Sequence, residues 1–88
     1  MDWLYAREIP IEAQFLYRKA QEQAGFGNHE AALRYFKQAV FIAPRYRKAI
    51  HEMGNCLATL GRYDEAREKY DLARLLNGPP AVAGEGIP

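Results

Sequence analysis

The sequence has little of several features that mark large classes of protein. Its single cysteine, Cys56, cannot form an intramolecular disulfide, so we expect a reducing compartment, the cytoplasm. The longest unbroken apolar run, Ala39–Ala43, is far shorter than the roughly 20 residues that a membrane-spanning helix needs. Twelve basic and 11 acidic residues leave a formal net charge of +1, which gives no general reason to bind nucleic acid or an anionic membrane.

Residues with catalytic or metal-binding chemistry are scarce as well. The chain has two histidines, and His51 lies five residues before Cys56, a spacing that does not place the two on one helix face as a nucleophile and its base. No H-x-x-x-H, C-x-x-C or glycine-rich phosphate motif is present. The sequence therefore predicts neither an enzyme nor a cofactor or metal site.

What remains is the composition of one small globular domain. The 88 residues are 49% hydrophobic and 26% charged, a mixture that can form a packed core. A chain of this length buries only about 60–65% of its unfolded surface, so core material is limited.

The chain matches itself at an offset of 34 residues. Gly27–Ala32 aligns with Gly61–Ala66, and the upstream and downstream apolar positions align in the same register. A fixed period of this size is typical of repeat architectures. Within each unit the apolar residues recur at helical spacing, and glycine and proline separate the runs.

These patterns predict an all-α protein with helices at roughly 10–25, 29–43, 46–60 and 63–77. Gly27 and Gly61 suit left-handed residues that end a helix, and Pro10 suits the first turn of one. We expect an N-terminal extension over residues 1–9, a repeat domain over 10–77 and a disordered tail over 78–88, where glycine and proline are concentrated.

The repeat resembles the tetratricopeptide repeat family, whose unit is a 34-residue helix–turn–helix. The two units are residues 13–46 and 47–80, and they depart from the family pattern mainly in the first helix of the first unit. The resemblance implies two helical hairpins in a right-handed α-solenoid stack. The positions that carry it are Ala20, Ala32, Phe36, Ala39 and Pro44 in the first unit and Gly54, Ala66, Tyr70 and Ala73 in the second.

The resemblance also implies a function, because in this family the first helix of each unit lines a concave groove that holds a partner's peptide or helix. By that correspondence, one exposed concave face carries Tyr17, Gln21, Lys48, His51 and Asn55. The carboxylate clamp of some members is absent, since Tyr17, Gln21 and Glu52 stand at its positions. We therefore expect a non-catalytic adaptor that binds another protein.

Two alternatives stay open at this point. The run Arg45–Lys48 is basic, and helical repeats can bind RNA, although two units would contact about two bases. The other alternative is a small self-assembling homodimer, because roughly three repeats are usually needed for stability and this chain has two.

The two ends of the repeat array differ. Leu33 and Val40 are expected to face the next repeat, and their counterparts in the second unit are Arg67 and Arg74, which makes the C-terminal end a charged cap. The N-terminal end is apolar instead. It carries Trp3 and Leu4, which are expected either to fold back over the first helix or to pair with a second copy, and Ile11 and Phe15 offer an apolar surface for either arrangement.

Overall fold

Four α-helices make up the computed structural model, which describes residues 9–76. They are α1 (Ile11–Gly25), α2 (His29–Ile42), α3 (Arg47–Thr59) and α4 (Tyr63–Leu76), and the described residues contain no strand. The prediction of an all-α protein is confirmed, and each helix boundary lies within a residue of its predicted place. Pro10 lies just before α1, in extended conformation, and not inside its first turn.

Both hairpins turn through the same glycine-based motif. Gly27 and Gly61 have φ of 85° and 82°, as predicted from the sequence. At the end of α1, the Asn28 N–H donates to the Gln23 carbonyl at 2.9 Å and the Gly27 N–H to Ala24 at 3.0 Å. At the end of α3, the Arg62 N–H donates to the Leu57 carbonyl at 2.8 Å and the Gly61 N–H to the Ala58 carbonyl at 3.0 Å. In this Schellman arrangement, carbonyls of the last helical turn accept hydrogen bonds and the chain reverses direction.

Small side chains lie where the helices approach most closely. Ala20, Ala32 and Ala39 are fully buried, and Ala66 and Ala73 nearly so. Gly54 faces the ring of Tyr70 so closely that an added Cβ would lie 2.6 Å from its Cε1 atom. The period of small residues in the sequence therefore matches the lines along which the helices touch.

Each helix packs against the next one in the chain, α1 on α2, α2 on α3 and α3 on α4. Phe36 and Ile50 are the largest fully buried side chains. Leu33 is buried, whereas its repeat counterpart Arg67 is exposed, so the two second helices differ as the sequence indicated. None of the helices in residues 9–76 is long and apolar enough to cross a membrane.

Several predictions fall outside the described part of the chain. Trp3 and Leu4 precede it, and the tail predicted to be disordered, 78–88, follows it. The division into an extension, a repeat domain and a tail therefore stays a prediction.

Candidate functional site

The candidate site is the side of the molecule formed by α1 and α3, the first helices of the two hairpins, with the residues that support them. At its α1 end, the Tyr17 ring meets the buried Phe36 edge-on, with ring centroids 5.6 Å apart. The same ring packs against Tyr46, just before α3, at 5.1 Å. Tyr17 is thus half-buried, so only part of its side chain is available on the face predicted from the sequence. Its ring belongs to the joint between the two repeats.

At the α3 end, Tyr70 reaches the site from α4. Its hydroxyl donates to Asn55 Oδ1 at 2.6 Å, and its ring lies 5.3 Å from the ring of His51. Because Gly54 has no side chain, the Tyr70 ring fits against α3, where it contacts both Asn55 and His51. Two exposed polar side chains are therefore held by a half-buried one.

Glu52 is an acidic residue of the site. Asn55 Nδ2 donates to Glu52 Oε1 at 3.3 Å, and on the other helix Gln21 Nε2 donates to the Tyr17 hydroxyl at the same distance. Burial raises the pKa of the Tyr17 phenol, and the negative charge of Glu52 raises that pKa further. Glu52 thus adds a negative charge at the α3 end of the site, next to Asn55.

Beside this polar set lies a shallow, basic pocket of about 250 Å³. It is lined by Arg47, His51, Tyr70, Ala73 and Arg74. Of the three basic side chains that line the pocket, Arg74 already donates to Asp71 Oδ1 at 2.6 Å. Arg47 and His51 have no ion pair within the described residues. The pocket can accept an acidic or polar side chain from a partner.

The five predicted groove residues thus fall into two groups. Gln21, Lys48, His51 and Asn55 are exposed, whereas Tyr17 is half-buried and accepts a hydrogen bond from Gln21. We call these five residues the inner face. The prediction from the sequence missed Tyr46 and the supporting part of Tyr70, which was assigned only as a repeat position. Tyr46 lies inside the basic run, where its aromatic character was the available signal.

The described residues offer little for catalysis. Cys56 is buried, and this burial, followed by the charge of Glu52, raises the pKa of its thiol. A raised pKa keeps the sulfur in its poorly nucleophilic thiol form. Residues 9–76 also hold no group of three or more His, Cys, Asp or Glu side chains arranged to bind a metal ion.

Comparison with known sequences bears on this architecture. The sequence model of the family described as "Tetratricopeptide repeat" matches residues 23–84, well over half of the chain. The chain belongs to the tetratricopeptide repeat family. An uncharacterized protein of Methanocaldococcus jannaschii is 42% identical over 59 residues, which cover 67% of this chain and 69% of that protein.

A second relative names the repeat directly. It is the small glutamine-rich tetratricopeptide repeat-containing protein 2 of Mycosarcoma maydis, 34% identical over 61 residues. The matched region covers 69% of this chain but 17% of that protein. Tetratricopeptide repeats generally mediate protein–protein interactions, so the architecture here is that of an interaction repeat, with α1 and α3 as the first helices of its two units.

Proposed function

We propose that this tetratricopeptide repeat protein is a non-catalytic adaptor that binds a peptide segment or helix of another protein on its inner face. The observation that carries this proposal is the way the inner face is supported. Asn55 and His51 are exposed, yet Tyr70 fixes both from behind. Side chains that are held in place lose less conformational entropy when they bind, which favours recognition.

The polar groups of the inner face suit a peptide. Gln21 and Asn55 carry both donors and acceptors and can bond to a partner's backbone. Lys48, Arg47 and His51 supply donors for acidic side chains at the α3 end. We place the protein in the reducing cytoplasm, which fits its single, buried thiol.

A peptide partner is favoured over RNA because of the charges along this side. Two acidic side chains stand among the cations of this side. Glu52 is bonded to Asn55 and Asp71 is bonded to Arg74, so the cations do not form a continuous stripe that could follow a phosphate backbone. RNA binding and a homodimeric scaffold stay predictions from the sequence.

Peptide selection followed by NMR tests the proposal. A random peptide library is selected against the full chain, and the best peptide is titrated into isotope-labelled protein. Amide shifts are expected to cluster at Gln21, Lys48, His51 and Asn55. A selected peptide whose shifts fall on the outer sides of α2 and α4 contradicts the proposal, as does a library that yields no binder.

The chain supplies matched controls for the affinity measurement. Gln21→Ala and Lys48→Ala are expected to weaken the selected peptide several-fold. Gln38→Ala and Lys37→Ala change equally exposed residues of the same types on α2 and should leave the affinity unchanged. Equal losses in the two sets would remove the inner face as the binding site.

A further inference from the structure

One edge of the first hairpin carries large apolar side chains with no cover among the described residues. Ile11 and Phe15, one turn apart on α1, are 71% and 55% exposed. Phe41, near the end of α2, is 88% exposed, and with Ile42 and Leu16 it lines a predominantly apolar groove of about 480 Å³. We call Ile11, Phe15, Leu16, Phe41 and Ile42 the apolar edge.

The repeat itself explains why this edge is open. Within the described residues α3 packs against both α2 and α4, whereas α1 packs mainly against α2. The α3 positions Ala49 and Ile50 are fully buried, and their counterparts 34 residues earlier are Phe15, which is exposed, and Leu16, which is partly buried. Phe15 and Leu16 therefore stand where the second repeat has a preceding neighbour. Phe41 is exposed for another reason, because its counterpart Leu75 is 77% exposed although a repeat precedes it.

The preceding chain arrives at this edge. Ile9 packs against the core, and the Gln14 side chain donates to its carbonyl at 2.9 Å, which fixes the point where the chain enters α1. Residues 1–8 precede that point and contain the apolar run Trp3-Leu4-Tyr5-Ala6. Eight residues reach about 12 Å as a helix and about 26 Å when extended, and Phe15 lies about 6 Å along α1 from Ile11.

We propose that residues 1–8 are the missing neighbour: they pack, within the same chain, on the apolar edge, with Trp3 against Phe41 and the groove beside it. The covalent link favours this over a second copy. A short tether gives an effective concentration in the millimolar range, above the working concentration of most proteins. The other end of a second molecule is also a poor fit, because its α4 presents the exposed Arg67 and Arg74.

The fluorescence of Trp3 tests this directly, because it is the single tryptophan of the chain. The full-length protein is expected to show blue-shifted emission and several-fold weaker acrylamide quenching than the same protein unfolded in urea. Both properties should be independent of protein concentration in samples whose mass, by light scattering, is that of a monomer. Quenching as strong as in the unfolded chain overturns the proposal.

Variants then locate the contact. Phe41→Ser should shift the Trp3 emission to the red and raise its quenching several-fold, and Phe15→Ser should act in the same direction. Leu75→Ser is the matched control, because Leu75 is the repeat counterpart of Phe41 and is 77% exposed. All three side chains are more than half exposed, so none of the substitutions removes a side chain of the buried core.

Three further results would overturn the proposal. One is shielding of Trp3 that survives both Phe41→Ser and Phe15→Ser. Another is an equal response to Leu75→Ser. The third is shielding that is lost on dilution while the measured mass falls from dimer to monomer, which would make a second copy the occupant of the apolar edge.

Discussion

Gly54 lies inside α3, where alanine would ordinarily favour the helix by about 1 kcal/mol. Here an added methyl group would lie 2.6 Å from Cε1 of Tyr70, whose hydroxyl is bonded to Asn55. The ring would have to move and break that bond. We therefore expect Gly54→Ala to lower the free energy of unfolding by about 1–2 kcal/mol, measured by urea denaturation.

Gly25 is the matched control for this substitution. Gly25 also lies in a helix, as the last residue of α1, and an added Cβ there meets nothing within 4 Å. Gly25→Ala should leave the stability unchanged or raise it slightly. If both variants shift the urea midpoint in the same direction, the close approach of Tyr70 does not determine the residue at position 54.

Ala66 is the counterpart of Ala32, and both are buried on the second helix of their hairpin. A leucine there adds three carbon atoms where the surrounding helices leave no room. Ala66→Leu should cost about 1–3 kcal/mol of stability, seen as a lower melting temperature. Its neighbour Arg67 is exposed, so Arg67→Leu should melt close to the native protein. An unchanged melting curve for Ala66→Leu would contradict the close packing at this position.

At the scale of the helices, the hairpin turns depend on Gly61 and Gly27. Gly61 has φ of 82°, a left-handed conformation that costs an L-residue about 1–2 kcal/mol. An added Cβ would meet no neighbour within 4 Å, so Gly61→Ala isolates the backbone cost from any clash. Urea denaturation should show a loss of that size. A variant as stable as the native protein would mean that the turn relaxes to a right-handed conformation.

The helix ends were predictable because local chemistry sets them. Gly27 and Gly61 end α1 and α3, Pro44 follows α2, and Pro10 precedes α1, so the sequence placed every boundary within a residue. Pro10 shows the remaining error, since proline is compatible with both the first helical position and the one before it.

The contacts of the candidate site could not be predicted in the same way. Tyr17 was expected to be exposed because its counterparts in the family line a groove. Its burial depends on Tyr46, a residue of the connecting turn, and on the angle between two hairpins. The bond between Tyr70 and Asn55 joins residues on different helices. Side-chain contacts across helices follow from packing, which a 34-residue pattern does not encode.

One ion pair likewise differs from its sequence pattern. Glu65 and Lys69 have the favourable i,i+4 spacing on α4, yet Glu65 bonds to Arg62 Nε at 2.6 Å. This bond lowers the pKa of the Glu65 carboxyl. Arg62 precedes α4, so the pair lies at the positive end of the helix, where an acidic side chain is also favoured by the helix dipole.

At the scale of the whole molecule, two half-buried phenols and one buried thiol favour the same protonation state. Burial raises the pKa of the Tyr17 and Tyr46 phenols and of the Cys56 thiol. A raised pKa means that folding favours the protonated, neutral form. The stabilisation is complete below the ordinary values of 9.0 for the thiol and 10.0 for the phenols, and it is lost as pH rises through the folded-state values.

We therefore expect the free energy of unfolding to fall in alkaline solution, from about pH 9 upward, as measured by urea titrations at successive pH values. Cys56→Ala and Tyr46→Phe should each reduce the slope of that fall. A stability that is constant between pH 8 and pH 11 would show that burial does not control these three groups.

The contrast between Leu33 and Arg67 also means that the two ends of the repeat array differ in how well a further hairpin could pack there. In a one-dimensional stack, each added unit is stable only if its interface with its neighbour is favourable. A further hairpin placed after α4 would have to desolvate Arg67, which is exposed, whereas one placed before α1, in place of residues 1–8, would meet the apolar Phe15. In a longer repeat protein built from this chain, a further hairpin would thus pack more readily before α1 than after α4.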